Sequence, residues 1–327
     1  TRYKLVTGVQ TCALPIFLAY FGILLTVAFY TSRNATNDSF FIGNKNSNWM
    51  LVAFGMIGTS LSGVTFVSVP GTVGDFGANG FKALAYFQVI LGYILGYAVI
   101  GLVLIPLYYK LNLTSIYHYL DQRFGTASYK TGSLFFIISR TFGATARLYL
   151  VINVLQIFIL DEMGIPFIAT TAVILLMILL YTFEGGVKTI VYTDMLQTSC
   201  MLIGLVICLV YILNSMNISV GDAMEAISLK GYTKIFETEI NSKSYFLKNI
   251  IGGAVIAIAM TGLDQEMMQK NISCKNLGEA QKNMFWFYVV LVFINLLFLS
   301  LGVLLYIYSE KMGIPIPAKT DDLYPSL

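Results

Sequence analysis

Two arginines, Arg140 and Arg147, lie seven residues apart inside one apolar run, Tyr129 to Ile159. Seven residues is two helical turns, so both guanidinium groups share one helix face and can point together into a helix bundle. A charge at the centre of a membrane helix costs about 2.5 to 3.5 kcal/mol on insertion scales, so each arginine needs a partner. For Arg147, the partner is either a bound carboxylate, which a planar guanidinium grips through paired hydrogen bonds, or an internal group such as Asp194, Glu266 or a helix carbonyl. Asp194 is a carboxylate near the start of another apolar run, Thr189 to Leu213. It is either hydrated or paired at membrane depth, or it forms an interfacial helix cap with Thr193.

A second set of polar groups sits in the run Gly55 to Gly71, GMIGTSLSGVTFVSVPG, which lies in an apolar segment of membrane length yet is full of helix-weakening residues. In hydrocarbon every backbone N–H and C=O must be satisfied, so this density is tolerated only where neighbouring protein or a polar cavity covers the opened backbone. An unwound turn also exposes carbonyl oxygens, hard ligands suited to a hard cation. The hydroxyls of Ser60, Ser62 and Thr65 belong to this run, although such hydroxyls also bond back to their own helix. A second interrupted run, Ile251 to Glu266, ends in Asp264-Gln265-Glu266. Paired interrupted segments point to the solute and ion site of a secondary transporter, and tight helix packing through small residues is the alternative for each alone.

The elements that must position these groups are apolar helices. The chain is 57% hydrophobic and 11% charged, against about 25% charged in soluble domains, which places it in the membrane class. Its net charge of +3 is spread among short loops and offers no basic face for nucleic acid. The single histidine, His118, excludes His-pair metal motifs and reads as a solvated surface residue. Cys12, Cys200, Cys208 and Cys274 show no metal or disulfide spacing. No covalent chemistry is expected.

Eight apolar segments are expected as helices: Phe17 to Tyr30, Trp49 to Val69, Phe81 to Tyr109, Tyr129 to Ile159, Ile165 to Phe183, Thr189 to Leu213, Tyr245 to Met268 and Met284 to Tyr308. About 20 apolar residues cross a bilayer, so seven are long enough and the first falls short. Val6 to Ile16 resembles a translated sequencing-library adapter, and residues 1–16 are set apart as non-native, with a signal peptide as the competing reading. Arg33, Lys45, Lys110, Arg123, Lys130, Lys188, Lys270, Lys275 and Lys282 fall on one side and only Lys82 in the short loops opposite. The basic side is expected to be cytoplasmic, with the start of the first helix outside. Five glycosylation-type sequons start at Asn34, Asn37, Asn112, Asn217 and Asn271, four of them on that cytoplasmic side, so chance explains them better than modification.

The chain resembles the sodium/solute symporter family from Phe17 to Leu327. The resemblance rests on Phe40 to Asn44, on the Gly58 to Gly63 core, on Leu113 to Gly125, on Gly185 to Gln197 and on Asp264 to Lys270. It implies an all-α membrane protein with two inverted five-helix repeats after one extra N-terminal helix. The first repeat would run over about 48–213 and the second would start in about 245–327, with eight apolar helices present and the C-terminal helices missing past Leu327. The same resemblance implies sodium on the backbone carbonyls of Gly58 and Leu61, and Asp194 on the sodium exit path. Ser60, Ser62 and Thr65 have the spacing of the branch that carries sialic acid and organic anions, and Gln265 stands where that family meets its solute. Asp264-Gln265-Glu266 replaces the aromatic gate of the sugar branch. The expected function is a sodium-coupled symporter in the inner membrane, importing a small polar solute, an organic anion, by alternating access. The alternative is a symporter-like membrane sensor domain.

Overall fold

The computed structural model describes residues 2–32, 47–74, 84–182, 186–242, 244–316 and 323–326, and the regular elements among them are helices. In chain order these are α1 (Arg2–Ser32), α2 (Trp49–Ser60), α3 (Gly63–Gly71), α4 (Tyr86–Lys110), α5 (Ile116–Phe124), α6 (Thr126–Leu155) and α7 (Phe167–Thr182). They continue with α8 (Gly186–Met216), α9 (Val220–Leu229), α10 (Phe246–Gly262), α11 (Gln265–Ile272), α12 (Leu277–Met312) and α13 (Leu323–Ser326). The Phe40 to Asn44 motif, Gly185, Arg33, Lys45 and Lys82 lie outside the described residues.

Side-chain caps set several helix starts. Asn48 accepts the Met50 N–H at 2.9 Å to open α2, Ser115 accepts the His118 N–H at 3.2 Å to open α5, and Asn276 accepts the Glu279 N–H at 2.9 Å to open α12. Each satisfies a donor the first helical turn leaves free. Ser219 and Asp222 form a reciprocal capping box at α9, and those hydrogen bonds hold the Asp222 carboxyl below its ordinary range. Asn112 and Asn217, both with left-handed backbone (φ 48° and 52°), follow the last turns of α4 and α8. His118 is exposed, as its sequence context suggests.

Four helices, α4, α6, α8 and α12, contain stretches long and apolar enough to cross a membrane. Two bent pairs, α2 with α3 (63°) and α10 with α11 (65°), raise the number to six among the described residues. At Ile165 to Phe183 the described helix, α7, covers 16 residues from Phe167, two residues later than expected, and residues 183–185 lie outside the described residues. Pro166 has no N–H to give and pushes Ile165 out of the helical region, so α7 starts at Phe167. Residues 2–16 continue directly into α1 as one helix, whose apolar part is Leu18–Thr31.

The central column is α12, which packs on α2, α3, α4 and α8 and has 67% of its apolar window buried, against 6% for α6. A helix apolar on all sides lies either in a protein core or against lipid, and α12 takes the first place. The closest helix pair is α4 with α10, and glycine makes it possible. A Cβ on Gly92 would lie 2.1 Å from the Ile250 carbonyl oxygen, and one on Gly253 would lie 2.2 Å from that of Val89. Small residues let backbones approach where no hydrophobic effect drives helices together.

Gly253→Ala is therefore expected to destabilise the protein by about 1 to 3 kcal/mol through overpacking. Gly252→Ala, whose added carbon meets nothing within 4 Å, is expected to be neutral or mildly stabilising, since alanine is the better helix former. Thermal unfolding of the two purified variants checks the contrast; equal melting temperatures would refute it.

Candidate functional site

The first helix break is built from hydrogen bonds that leave the helical ladder. The Leu61 N–H still reaches the Ile57 carbonyl at 2.8 Å. The Ser62 N–H, which would meet Gly58 in a continuous helix, instead donates to Thr65 Oγ1 at 3.3 Å. The Thr65 N–H, which would meet Leu61, donates to the Ser62 carbonyl at 2.9 Å. The Gly58 and Leu61 carbonyls are thus left by the N–H groups that would otherwise close them. Gly58 also lets α2 lie against α8, because a Cβ there would sit 2.1 Å from Thr198 Oγ1 and 3.0 Å from the Asp194 carbonyl oxygen.

The second break follows a π-helical turn, Ile258–Gly262, a geometry that recurs at functional sites. The chain then bends at Leu263 and Asp264 before α11. Asp264 Oδ1 caps α11 by accepting the Met267 N–H at 3.1 Å, and Oδ2 pairs with the Arg140 guanidinium. Gln265 Nε2 donates to the Thr114 carbonyl at 2.9 Å, tying α11 to the segment before α5.

Both breaks face one cavity of about 220 Å³. Thr59, Ser60 and Ser62 line it from the first break, and Ile256, Ala257, Met260, Thr261, Glu266 and Met267 from the second. Tyr93 and Tyr97 of α4 and both arginines of α6 complete the wall. Tyr97, Ser60 and Thr261 bring three hydroxyl-bearing side chains to the lining. The lining mixes hydroxyls, two guanidinium groups and a carboxylate with a few apolar side chains, a set suited to a polar, charged solute.

A network of ion pairs closes one side. Arg140 pairs with Asp264 and lies 3.9 Å from Glu266 Oε2. Lys270 Nζ lies 3.5 Å from Glu266 Oε1 and donates to Asp194 Oδ2 and Thr59 Oγ1, each at 2.5 Å. The Thr59 hydroxyl is also within hydrogen-bond distance of Asp194 Oδ2, at 2.9 Å. Lys270 is 2% exposed and Asp194 16%. A charge buried to this degree must be paired.

Of the residues singled out from sequence, Ser60, Ser62 and Arg147 come together in the cavity. Thr65 and Gln265 are not among its lining residues; they brace the two breaks. Asp194 faces Lys270 and Thr59 from inside α8, while Thr193 bonds back to its own helix at Thr189 and Ile190, so the two do not form a cap. Arg147 has no ion pair among the described residues, and Arg140 takes the internal carboxylates. The residue sequence reasoning misplaces is Lys270, counted among loop cations but buried on α11. Its i,i+4 spacing from Glu266 is the signal that could have found it. Tyr93, Tyr97, Met260 and Thr261 are further cavity residues with no signal beyond their apolar surroundings.

Comparison with known proteins matches residues 40–318 to the model of the sodium:solute symporter family. The sodium/sialic acid symporter NanT of Aliivibrio fischeri is 25% identical over 90% of this chain and 57% of the relative. The sodium/sialic acid symporter SiaT of Proteus mirabilis is 26% identical over 93% of this chain and 60% of the relative. The human sodium-coupled monocarboxylate transporter 1 is 26% identical over 85% and 45%. A solved structure of a sodium-coupled sialic acid symporter, substrate-bound and outward-open, superposes with a TM-score of 0.81 at 24% identity, covering 95% of this chain and 65% of that one. The chain thus spans roughly half the length of these curated relatives. They are named as transporters, and none of them supports a sensor domain. With a family match over most of its length and several membrane-length helices, the chain is a multi-pass membrane protein that belongs to the sodium:solute symporter family.

Proposed function

We propose that the protein is a sodium-coupled secondary symporter that imports a small organic anion by alternating access. The observation that carries this reading is the cavity between two broken helices, where Arg147, with no ion pair among the described residues, stands with the hydroxyls of Ser60 and Ser62. Arg147 is the ligand for the solute carboxylate, and the two serines bind its polar groups. The Gly58 and Leu61 carbonyls, left by their helical N–H partners, hold sodium. Asp194 lies on the path by which sodium leaves. Thr65 and Gln265 keep the two breaks open.

Two bent pairs of similar angle, 63° and 65°, support two inverted repeats, the first over about 48–213 and the second from about 245. Relatives named for sialic acid, monocarboxylate and iodide support an anionic solute, while glucose cotransporters also match at 23% identity or below. The reading places the protein in the inner membrane with its basic loops cytoplasmic and the start of α1 outside. One sodium charge crossing the membrane potential supplies about 2.3 kcal/mol per 100 mV, available to the solute if the two bind cooperatively.

Uptake of labelled carboxylates, sugars and amino acids into proteoliposomes containing the full-length protein tests the reading. A carboxylate is expected to enter under an inward sodium gradient, and equal uptake with potassium in place of sodium would refute coupling. Arg147→Gln is expected to lower carboxylate uptake by about tenfold to a hundredfold, the loss of about 1.5 to 3 kcal/mol in charge-assisted hydrogen bonding, with an unchanged melting temperature. Arg140→Gln should do the reverse. It leaves buried Asp264 without its cation and is expected to destabilise the fold by about 3 kcal/mol, the low end for such a loss, because Arg140 is 31% exposed. Arg140→Gln with Asp264→Asn is expected to recover most of that stability.

A further inference from the structure

The ion-pair network that closes the cavity is one positive charge short. Among the described residues, Asp194, Glu266 and Asp264 are linked through ion-pair contacts to two cations, Lys270 and Arg140. Arg147 stands two turns, about 10 Å along α6, from Arg140 and makes no ion pair with the network among the described residues. Three carboxylates against two cations leave a formal charge of −1, and the carboxylate with only the longer contacts is Glu266, which is 47% exposed beside the 2% exposed Lys270. One monovalent cation entering beside Lys270 would balance the network.

Lys270 is placed to compete for the oxygens such a cation needs. Its ammonium donates at 2.5 Å to Asp194 Oδ2 and at 2.5 Å to Thr59 Oγ1, a carboxylate and a hydroxyl oxygen that are hard ligands for a hard cation. A second carboxylate oxygen, Glu266 Oε1, waits on the other side of the same ammonium at 3.5 Å, one helical turn back on α11. Arg140, held by Asp264, is 3.9 Å from the other oxygen of Glu266 and is already committed. We propose that Lys270 is a tethered counter-ion that exchanges between two carboxylates: it rests on Asp194 and Thr59 when sodium is absent, and shifts to Glu266 when sodium takes them. The inference rests on the sodium reading above, takes Asp194 and Thr59 as the oxygens sodium meets on its path from the Gly58 and Leu61 carbonyls, and assigns Lys270 and Glu266 as positioning residues for the ion.

The exchange ties the second break to α8. With sodium absent, Lys270 joins α11 to α8 and α2 through Asp194 and Thr59. Sodium arriving at those oxygens releases the tie and keeps the ammonium on its own helix. The ion therefore changes which helices are held together, the differential contact that a coupled transporter requires.

Sodium alone is the probe, so the test does not depend on knowing the solute. The melting temperature of the purified full-length protein is titrated with sodium at constant ionic strength, potassium making up the balance, and apparent affinity is taken from the stabilisation. Glu266→Gln is expected to weaken sodium about tenfold, a change of about 1.4 kcal/mol, because the ammonium loses its second resting place. Lys270→Met is expected to tighten sodium by a similar factor, and adding Glu266→Gln to it is expected to change nothing further. A Glu266→Gln effect that is equal in both backgrounds would show direct attraction rather than exchange, and would overturn the proposal. Should Lys270→Met fail to fold, Glu266→Gln decides alone, and wild-type sodium affinity in that variant overturns the exchange. A wild type that sodium does not stabilise overturns the sodium reading itself and this inference with it.

Discussion

Backbone polar groups in hydrocarbon have no water to turn to, and two of this protein's helices are broken inside segments that lie there. Each break strands N–H and C=O groups, so the chain must supply partners or a cavity. At the first break, Thr65 takes the Ser62 N–H and Thr198 lies against Gly58. At the second, Asp264 caps α11 and Gln265 reaches the Thr114 carbonyl. Both breaks also contribute side chains to one cavity of about 220 Å³. Under the proposed function, the same opened carbonyls that endanger a membrane helix become ligands for a small cation.

Charge is managed under the same constraint. Arg140 and Arg147 enter the membrane on one helix, yet they end in different roles. Arg140 is absorbed by Asp264 and holds the second break in place, whereas Arg147 faces the cavity with no carboxylate partner among the described residues. Lys270 and Asp194 join α11 to α8 beneath the same cavity wall, with Thr59 of α2 as the third member. Gly58 brings α2 against α8 where these contacts form, and Gly92 and Gly253 do the same for α4 with α10. Packing, polar satisfaction and the site are therefore one problem solved by the same few positions.

Much of this is legible in the residues. The Gly, Ser, Thr and Pro density of Gly55 to Gly71, and the Gly-rich approach to Asp264, mark both breaks, because a membrane segment tolerates them only at an opened backbone or a close helix contact, and Gly253 serves the latter. Arg140 and Arg147 share a face because helical spacing alone dictates it. Lys270 is not legible by the same means. A lysine two residues beyond an apolar run reads as a loop cation, and only the 65° turn of α11 carries it into the interior. Tyr97 and Thr261 are similarly hidden, since an aromatic or a threonine in an apolar helix looks the same whether it faces lipid or a cavity. Thr65 resembles its neighbours Ser60 and Ser62 in type, and only local hydrogen bonding separates its bracing role from theirs. The start of α7 depends on Pro166, a boundary that apolar composition obscures.

The central claim is that the cavity between the two breaks is where ion and solute are held. The most direct measurement is the rate at which a small polar thiol reagent modifies Ser60→Cys in the full-length protein in membranes, with sodium or potassium and with or without a transported carboxylate. Modification is expected to proceed in potassium, to slow in sodium, and to slow further when the carboxylate is added with sodium. A rate that responds to neither sodium nor the carboxylate would contradict the claim.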